Sequence, residues 1–204
     1  MKVIDSGESS ESLEDPKGQA WQGLSGETLA LEPAPVDGQP SRYVAAAYQS
    51  GAPTGASEVD VIAVRSSGGD FMLRLSWPDG DPDIAYGERK FPDAAAVMFP
   101  ASGDAPLQEM GSPDQPVNLW YWRPDLDGEC QALTATGLGS VERADGGGLS
   151  AKSAYDDGKW MVVFRNQGGD VPGKAAVAVW EGGAGQRGGL KSVTGSWQNL
   201  EDAQ

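Results

Sequence analysis

The sequence contains no histidine and a single cysteine, Cys130, in 204 residues. The absence of histidine excludes Ser-His-Asp triads, the common zinc sites and bis-histidine haem ligation, because each of these sites needs an imidazole. A lone cysteine can form no internal disulfide, no iron–sulfur cluster and no C-x-x-C-H haem attachment. Its setting, DLDGEC, indicates an inert, partly buried thiol. Any metal bound by this chain must be held by Met, Lys, Tyr, carboxylate or that thiol.

Basic residues are also scarce, with 15 against 30 acidic residues and a net charge of −15. No basic patch could neutralise phosphates, so nucleic acid and anionic membrane are not expected partners. No apolar run is long enough for a transmembrane helix. The N-terminal segment MKVIDSGESSESLEDPKG lacks the apolar centre of a signal peptide. Three alternatives stay open: a removed export signal, export with a partner, or a cytoplasmic protein.

Glycine and proline are abundant, at 29 and 14 residues, which is typical of a turn-rich β protein. Residues 1–18 carry almost nothing to bury and are predicted to form a flexible acidic tail. Residues 19–204 are predicted to form a single domain. No helical periodicity is sustained for three turns, and short strands separated by turn signals favour an antiparallel β-sandwich.

The strand predictions rest on a period of two. In FMLRLSW, Phe71, Leu73, Leu75 and Trp77 share one face, and the turn SSGGD joins this strand to residues 59–63 as a hairpin. Further strands are predicted at residues 93–100, 117–122, 159–166 and 174–181. The last two are expected to pair across QGGDVPG.

Two clusters of carboxylates could serve glycoside hydrolysis, namely Asp79, Asp81 and Asp83 in SWPDGDPD, and Asp156 and Asp157 in AYDDGK. Both are turn sequences, in which Asp commonly caps the backbone. The first cluster resembles a calcium loop in spacing, but its glycine and distal glutamate are misplaced. Backbone capping is therefore the favoured interpretation.

Seven tryptophans raise the alternative of a sugar-binding surface, although Trp77, Trp160 and Trp180 alternate within strands as core residues do. The glycine-rich segment GGAGQRGGLKS lacks the helix that a phosphate-binding loop needs. It leads instead to a lysine, Lys191.

Among the methionines, Met72, Met98 and Met161 lie inside predicted strands and are most simply packing residues. Met110 differs because it precedes a Gly-Ser-Pro turn in EMGSPDQPVNLWYW. A turn can hold its sulfur at a fixed position, so Met110 is a candidate metal ligand.

Several segments in this order resemble a known family: RLSW (74–77), KFPDAAAVMFP (90–100), EMGSPDQPVNLWYWRPD (109–125), DGKWMVVFRN (157–166) and AAVAVWEGGAGQRGGLKSVTGSW (175–197). The chain resembles the haem b (gamma) subunit of type II dimethyl-sulfoxide-reductase-family molybdenum enzymes. That group includes ethylbenzene dehydrogenase, dimethylsulfide dehydrogenase and the chlorate and selenate reductases. The resemblance covers roughly residues 40–200, and its most specific pieces are MGSP…PVNLWYW and AVWEGGAGQRGGLKS…W.

The resemblance implies an all-β sandwich similar to a carbohydrate-binding module, with long loops enclosing one non-covalent haem b. The iron ligands of the family match Met110 and Lys191 here. A thioether and a neutral amine suit a chain without histidine, provided that the lysine loses its proton. Asn118, which shares a strand face with Trp120 and Trp122, follows Met110 closely and is a further candidate for contact with the cofactor.

The resemblance also implies an electron-transfer subunit without substrate chemistry of its own. Its expected partners are a molybdopterin catalytic subunit and an iron–sulfur subunit in a heterotrimer, with a soluble cytochrome or similar carrier. Family members act outside the cytoplasm, so a periplasmic or otherwise extracytoplasmic location is expected. Met98, where a polar residue is expected, and the acidic N-terminus depart from the family pattern. The alternatives are a haem-free carbohydrate- or ligand-binding sandwich and a glycosidase.

Overall fold

The computed structural model describes residues 1–35, 39, 41–51, 54–88, 90–126 and 130–202. The first strands are β1 (Lys2–Asp5), β2 (Glu27–Ala30), β3 (Glu32–Pro33), β4 (Glu58–Arg65), β5 (Phe71–Pro78), β6 (Ala94–Pro100), β7 (Val117–Trp122) and β8 (Gln131–Ala135). They are followed by β9 (Glu142–Arg143), β10 (Leu149–Asp156), β11 (Lys159–Asn166), β12 (Lys174–Trp180), β13 (Ser192–Val193), β14 (Gln198–Asn199) and β15 (Glu201–Asp202).

Helices are few in the described residues. The α-helices are α1 (Ser10–Leu13) and α2 (Arg42–Gln49), and single 3-10 turns cover Gln19–Trp21 and Pro124–Leu126. None of these helices is long and apolar enough to cross a membrane. Helix α2 spans only two turns, which is why no sustained helical period marks it in the sequence.

The strands form two sheets. The first has the order β10-β11-β5-β4-β1-β15, with β2 also paired to β4, and the second has the order β3-β13-β12-β6-β7-β8-β9, with β14 paired to β12. All neighbours are antiparallel except β1, which runs parallel to both β4 and β15. The predicted all-β sandwich with antiparallel sheets is therefore confirmed.

The main core lies between the two sheets and is built from alternate residues of each strand. Trp122 packs against Trp160 with ring centroids 5.1 Å apart, and Trp120 packs against Phe99 at 4.6 Å. The predicted alternation of β5 is confirmed, since its aromatic and leucine face enters this core while Met72 packs on the opposite side of the first sheet. The predicted hairpin of β4 and β5 is confirmed as well.

The predicted pairing of residues 159–166 with 174–181 is wrong. Strand β11 pairs with β10 and β5 in the first sheet, whereas β12 pairs with β6 and β13 in the second. Residues 167–173 therefore carry the chain from one sheet to the other. A hairpin and a crossing between sheets need the same glycine and proline turn residues, so the local sequence could not distinguish them.

The prediction that residues 1–18 form a flexible tail is also wrong. Strand β1 lies between β4 and β15, with Val3 aligned to Ala63. Leu13 is fully buried in a cluster with Trp21 and Met72. A composition-based prediction fails here because the few apolar side chains each fill a specific position, while the acidic residues stay at the surface or find basic partners.

Candidate functional site

A largely apolar cavity of about 430 Å³ lies on the face of the second sheet that points away from the main core. Its floor is formed by alternate residues of three adjacent strands, which include four alanines: Ala94, Ala96, Ala176 and Ala178. Small side chains keep this floor low and flat, whereas the intervening residues of the same strands fill the core. The loops above the floor supply the walls, and a cavity of this size is typical of small-molecule and cofactor sites.

The wall at one side carries Met110, in a tight turn called here the methionine turn (residues 107–111). Met110 has a backbone φ of 58°, in the left-handed region that a bulky side chain rarely adopts. The next residue, Gly111, has φ 84°, and a Cβ there would lie 2.8 Å from the Gln115 carbonyl oxygen. The Met110 carbonyl accepts a hydrogen bond of 3.1 Å from the Gly137 amide. Strained backbone of this kind clusters at functional sites.

The opposite wall is the lysine loop (residues 181–191), which ends at Lys191. Gln186 lies inside this loop and is only 1% exposed. Its side-chain oxygen accepts from the Glu181 amide at 2.9 Å, and its side-chain nitrogen donates to the Ser192 hydroxyl at 3.3 Å. One buried amide therefore ties the two ends of the loop together and fixes where Lys191 emerges.

The glycines of the lysine loop allow close approach of backbone segments. A Cβ on Gly182 would lie 1.7 Å from the Phe91 carbonyl oxygen, so only glycine fits there. The Gly182 amide donates to Asp93 at 2.8 Å, and the Trp180 indole donates to the Gly188 carbonyl at 2.9 Å. The loop is thus hydrogen-bonded along its length and anchored to the sheet.

The two walls bring Lys191 and Met110 together. The Lys191 amine nitrogen lies 3.8 Å from the Met110 sulfur, although the residues are 81 positions apart in the chain. The amine also lies 5.1 Å from the ring centroid of Trp180. Burial lowers the pKa of Lys191 to about 8, and within the described ranges no carboxylate lies within 4.0 Å of it. Removing water without supplying a counter-charge favours the neutral amine, which is the form that can bind a metal.

This donor set fits the haem iron implied by the family resemblance. A thioether sulfur and a neutral amine nitrogen are both donors that can bind iron. The Met110 and Lys191 donor atoms lie 3.8 Å apart in the cavity, so these two residues could hold the same iron. The apolar floor and walls suit the flat, apolar body of a porphyrin. Met98 also lines the cavity, whereas Met72 and Met161 lie on the outer side of the first sheet.

The structure does not bring Asn118 to this cavity. Asn118 lies on the same face of β7 as Trp120 and Trp122, and both tryptophans fill the core between the sheets. The cavity is lined by the alternate residues of the strand, Leu119 and Tyr121. Closeness in sequence to Met110 therefore indicated the wrong face, because successive strand residues point to opposite sides of a sheet.

The tryptophans do not form an exposed platform. Trp77 and Trp160 are buried in the main core, in agreement with their interpretation as packing residues, whereas Trp180 lines the cavity beside Lys191. Trp197 is partly buried, and its indole donates to the Ala105 carbonyl beneath the methionine turn. Cys130 is also partly buried, and burial raises the pKa of its thiol to about 12, as expected for an inert cysteine.

Within the first cluster, the predicted backbone-capping role is confirmed for Asp79. Asp79 accepts from the Asp81 amide at 3.1 Å, and Asp93 accepts from the Asp83 amide at 2.7 Å. Asp79 and Asp93 are buried and lie near Glu181. Burial, and then the charges of Asp93 and Glu181, raise the pKa of Asp79 to about 7.

These acids therefore anchor loops. Asp93 accepts hydrogen bonds from the Trp160 indole as well as from the Gly182 amide at the start of the lysine loop. In the second cluster, Asp156 pairs at the surface with Lys17. No group of three or more Cys, Asp or Glu side chains in the described residues could hold a metal ion.

Sequence reasoning missed the floor of the cavity and the side chains that position the lysine loop. Alanines at every second position of KFPDAAAVMFP and KAAVAVW were the available signal, because a strand with small residues on one face leaves space above the sheet. The position of Gln186 inside a glycine-rich loop gives no sequence signal for burial.

Comparison with known proteins identifies the chain. It is 33% identical over 197 residues to a protein of Haloferax mediterranei named as a respiratory nitrate reductase heme subunit, covering 89% of this chain and 66% of the relative. It is 33% identical over 156 residues to the dimethylsulfide dehydrogenase subunit gamma of Rhodovulum sulfidophilum, covering 67% and 58% respectively. The chain belongs to the gamma-subunit family of type II dimethyl-sulfoxide-reductase-family enzymes.

A third member of the gamma-subunit family, the chlorate reductase subunit gamma of Ideonella dechloratans, is 34% identical over 151 residues, covering 68% of this chain and 62% of the relative. The chain thus spans about six tenths to two thirds of the length of these curated relatives. No protein-family model matches the chain.

Proposed function

We propose that this chain is an electron-transfer subunit that binds one haem b non-covalently, and that Met110 and Lys191 would hold its iron. The observation that carries the proposal is the meeting of these two donors, 3.8 Å apart, in an otherwise apolar cavity. The related proteins include one named as a heme subunit and two named as gamma subunits of oxidoreductases. The single cysteine is consistent with non-covalent binding.

Haem supplies one-electron redox chemistry when it is bound. The methionine turn holds the Met110 thioether, a ligand that raises the reduction potential. The lysine loop holds the Lys191 amine in surroundings that favour loss of its proton. Because Met110 and Lys191 would both hold the iron, the proposed site favours electron transfer over catalysis at the iron.

The proposal extends to the partners that the family resemblance implies. We place the chain in a complex with a molybdopterin-containing catalytic subunit and an iron–sulfur subunit, outside the cytoplasm. Electrons would pass between the iron–sulfur subunit and an external carrier such as a cytochrome. The net charge of −15 suits a basic carrier, because opposite charges accelerate encounter.

The test is the absorption spectrum of the full chain reconstituted with haem b. Wild-type protein should give a six-coordinate, low-spin spectrum. Met110→Ala and Lys191→Ala should each convert the haem to a high-spin or carbon-monoxide-accessible form, since each removes one axial ligand.

Met98→Ala is the matched control, because Met98 is a second thioether that lines the same cavity. This variant should keep the low-spin spectrum. An unchanged spectrum in Met110→Ala or in Lys191→Ala would remove that residue from the ligand set. Failure of the wild-type chain to bind haem would refute the proposed function as a whole.

A further inference from the structure

Two arginines that line the cavity, Arg123 and Arg187, differ in whether a carboxylate neutralises their charge. Arg123 has its charge matched by Asp125, which accepts hydrogen bonds from two of its nitrogens. A third nitrogen of Arg123 donates to the Tyr86 hydroxyl at 2.9 Å. The donors of Arg123 are therefore largely occupied within the protein itself.

Arg187 also lines the cavity, but its side chain has different neighbours. Its guanidinium carbon lies 4.2 Å from the ring centroid of Phe91 and 4.5 Å from that of Tyr43. The Arg187 guanidinium donates a hydrogen bond to the Gly185 carbonyl of its own loop. Among the residues that the structure describes, no carboxylate lies within 4.0 Å of Arg187. Two aromatic rings hold the side chain in place while most of its N–H donors stay available.

The position of Arg187 relates it to the proposed iron ligand. Arg187 and Lys191 belong to the same lysine loop, and the Arg187 carbonyl accepts a hydrogen bond from the Leu190 amide at 2.9 Å. The Trp180 indole fixes the intervening Gly188. A group bound by Lys191 in the cavity would therefore meet the guanidinium at a distance set by the loop.

We propose that Arg187 binds a carboxylate of the cavity's ligand, namely a propionate group of the haem. The inference rests on the proposed function and deepens it. The propionates are the charged groups at the edge of the porphyrin, and a guanidinium matches a carboxylate through paired, charge-assisted hydrogen bonds. Arg123, already neutralised by Asp125, serves as a wall of the cavity.

The test compares haem b with haem b dimethyl ester, in which both propionates are uncharged. The full apo chain is titrated with each, and dissociation constants are read from the Soret band at fixed pH and low ionic strength. Wild-type protein should bind the free acid about ten- to a hundredfold more tightly than the ester. Arg187→Gln should lose this preference by weakening binding of the acid alone, and Arg187→Lys should retain part of it.

Two control variants test whether the preference for the free acid depends on Arg187 itself or is lost when any arginine is replaced. The double variant Arg123→Gln/Asp125→Asn removes the neutralised pair beside the cavity and should keep the preference for the free acid. Arg65→Gln removes an arginine of β4 that pairs with Asp5 and Asp202 away from the cavity, and it should behave as wild type.

Three results would overturn the inference and leave the proposed function standing. Arg187→Gln could keep the wild-type preference, or it could weaken binding of acid and ester equally, which would indicate a structural role. It could also bind haem normally but fail to assemble with the iron–sulfur subunit, which would assign Arg187 to a partner contact. If wild-type protein bound neither compound, the proposed function would fail and the inference with it.

Discussion

At the scale of single residues, the unusual titratable groups of this protein are side chains whose pKa is shifted because burial removes them from water. Lys191 and Asp79 are affected in opposite directions, because desolvation favours the neutral form of each. For Lys191 the result is an amine with a pKa of about 8, suited to binding a metal. For Asp79 the result is a carboxyl group that keeps its proton up to about pH 7.

Asp79 leads to a prediction about stability and pH. Unfolded, its carboxyl ionises near its ordinary pKa of 3.8, whereas in the folded protein it ionises at about 7. The folded state therefore binds more protons between these values, so the free energy of unfolding should fall as pH rises from about 4 to about 7. Asp79→Asn should reduce this fall and be more stable than wild type above pH 7, by up to about 4 kcal/mol.

The measurement is urea unfolding of the apo protein across that pH range. Asp81→Asn is the matched control, because Asp81 is an exposed carboxylate two residues away. It should leave the pH dependence unchanged. Equal slopes in wild type and Asp79→Asn would show that Asp79 is ionised throughout. Asp93 and Glu181, whose pKa values are also raised mainly by burial, should account for the slope that remains.

At the scale of elements, each part of the proposed site is a short irregular segment that is attached to a regular β-strand. The methionine turn precedes β7, and the lysine loop joins β12 to β13. The N-terminal segment is similar in kind, since α1 packs on the outer face of the first sheet through Leu13. Glu14 follows α1 and pairs with Lys152 and Arg165, and these hydrogen bonds, that to Lys152 foremost, lower the pKa of Glu14.

Because the N-terminal segment packs on the first sheet, two neighbouring substitutions in it should have very different effects on the free energy of unfolding. Leu13→Ala should lower the free energy of unfolding by about 2–5 kcal/mol, because it removes a fully buried side chain. Glu11→Ala, in the same helix but exposed, should change it by no more than about 0.5 kcal/mol. Urea unfolding of both variants measures this difference. A negligible effect of both would restore the interpretation as a detached tail.

At the scale of the whole molecule, the dominant property is its charge. A net charge of −15 creates a field that attracts cationic partners, and salt screens that field over about 10 Å at 0.1 M ionic strength. Two tyrosines, Tyr43 and Tyr86, are each about 60% exposed, and their rings contact Arg187 and Arg123, respectively.

The charge predicts how electron exchange depends on ionic strength. The second-order rate between the haem-loaded chain and a basic cytochrome should fall steeply as ionic strength rises from about 0.01 M to 0.5 M. With an anionic carrier the rate should rise instead, because screening then removes a repulsion. Stopped-flow absorbance measures both rates. A rate to the basic cytochrome that does not depend on salt would show that the acidic surface plays no part in the encounter.

The sequence alone determined the chemistry available and the type of fold. Without histidine, and with one cysteine, the donors for a metal reduce to a few residues, and Met110 and Lys191 stand out by their turns and by the family motifs. Strand periodicity likewise indicates the sandwich and the hairpin of β4 and β5. These properties are local or compositional, so they can be read without knowing which segments meet.

Only the tertiary structure decided which segments meet and which faces they present. It places β11 and β12 in different sheets, inserts β1 between β4 and β15, and turns Asn118 away from the cavity. It also brings Lys191 within 3.8 Å of Met110 and leaves Arg187 without a carboxylate partner in the described residues. The physical reason is that burial and long-range pairing depend on the packing of the whole chain, and the same local sequence is compatible with several such arrangements.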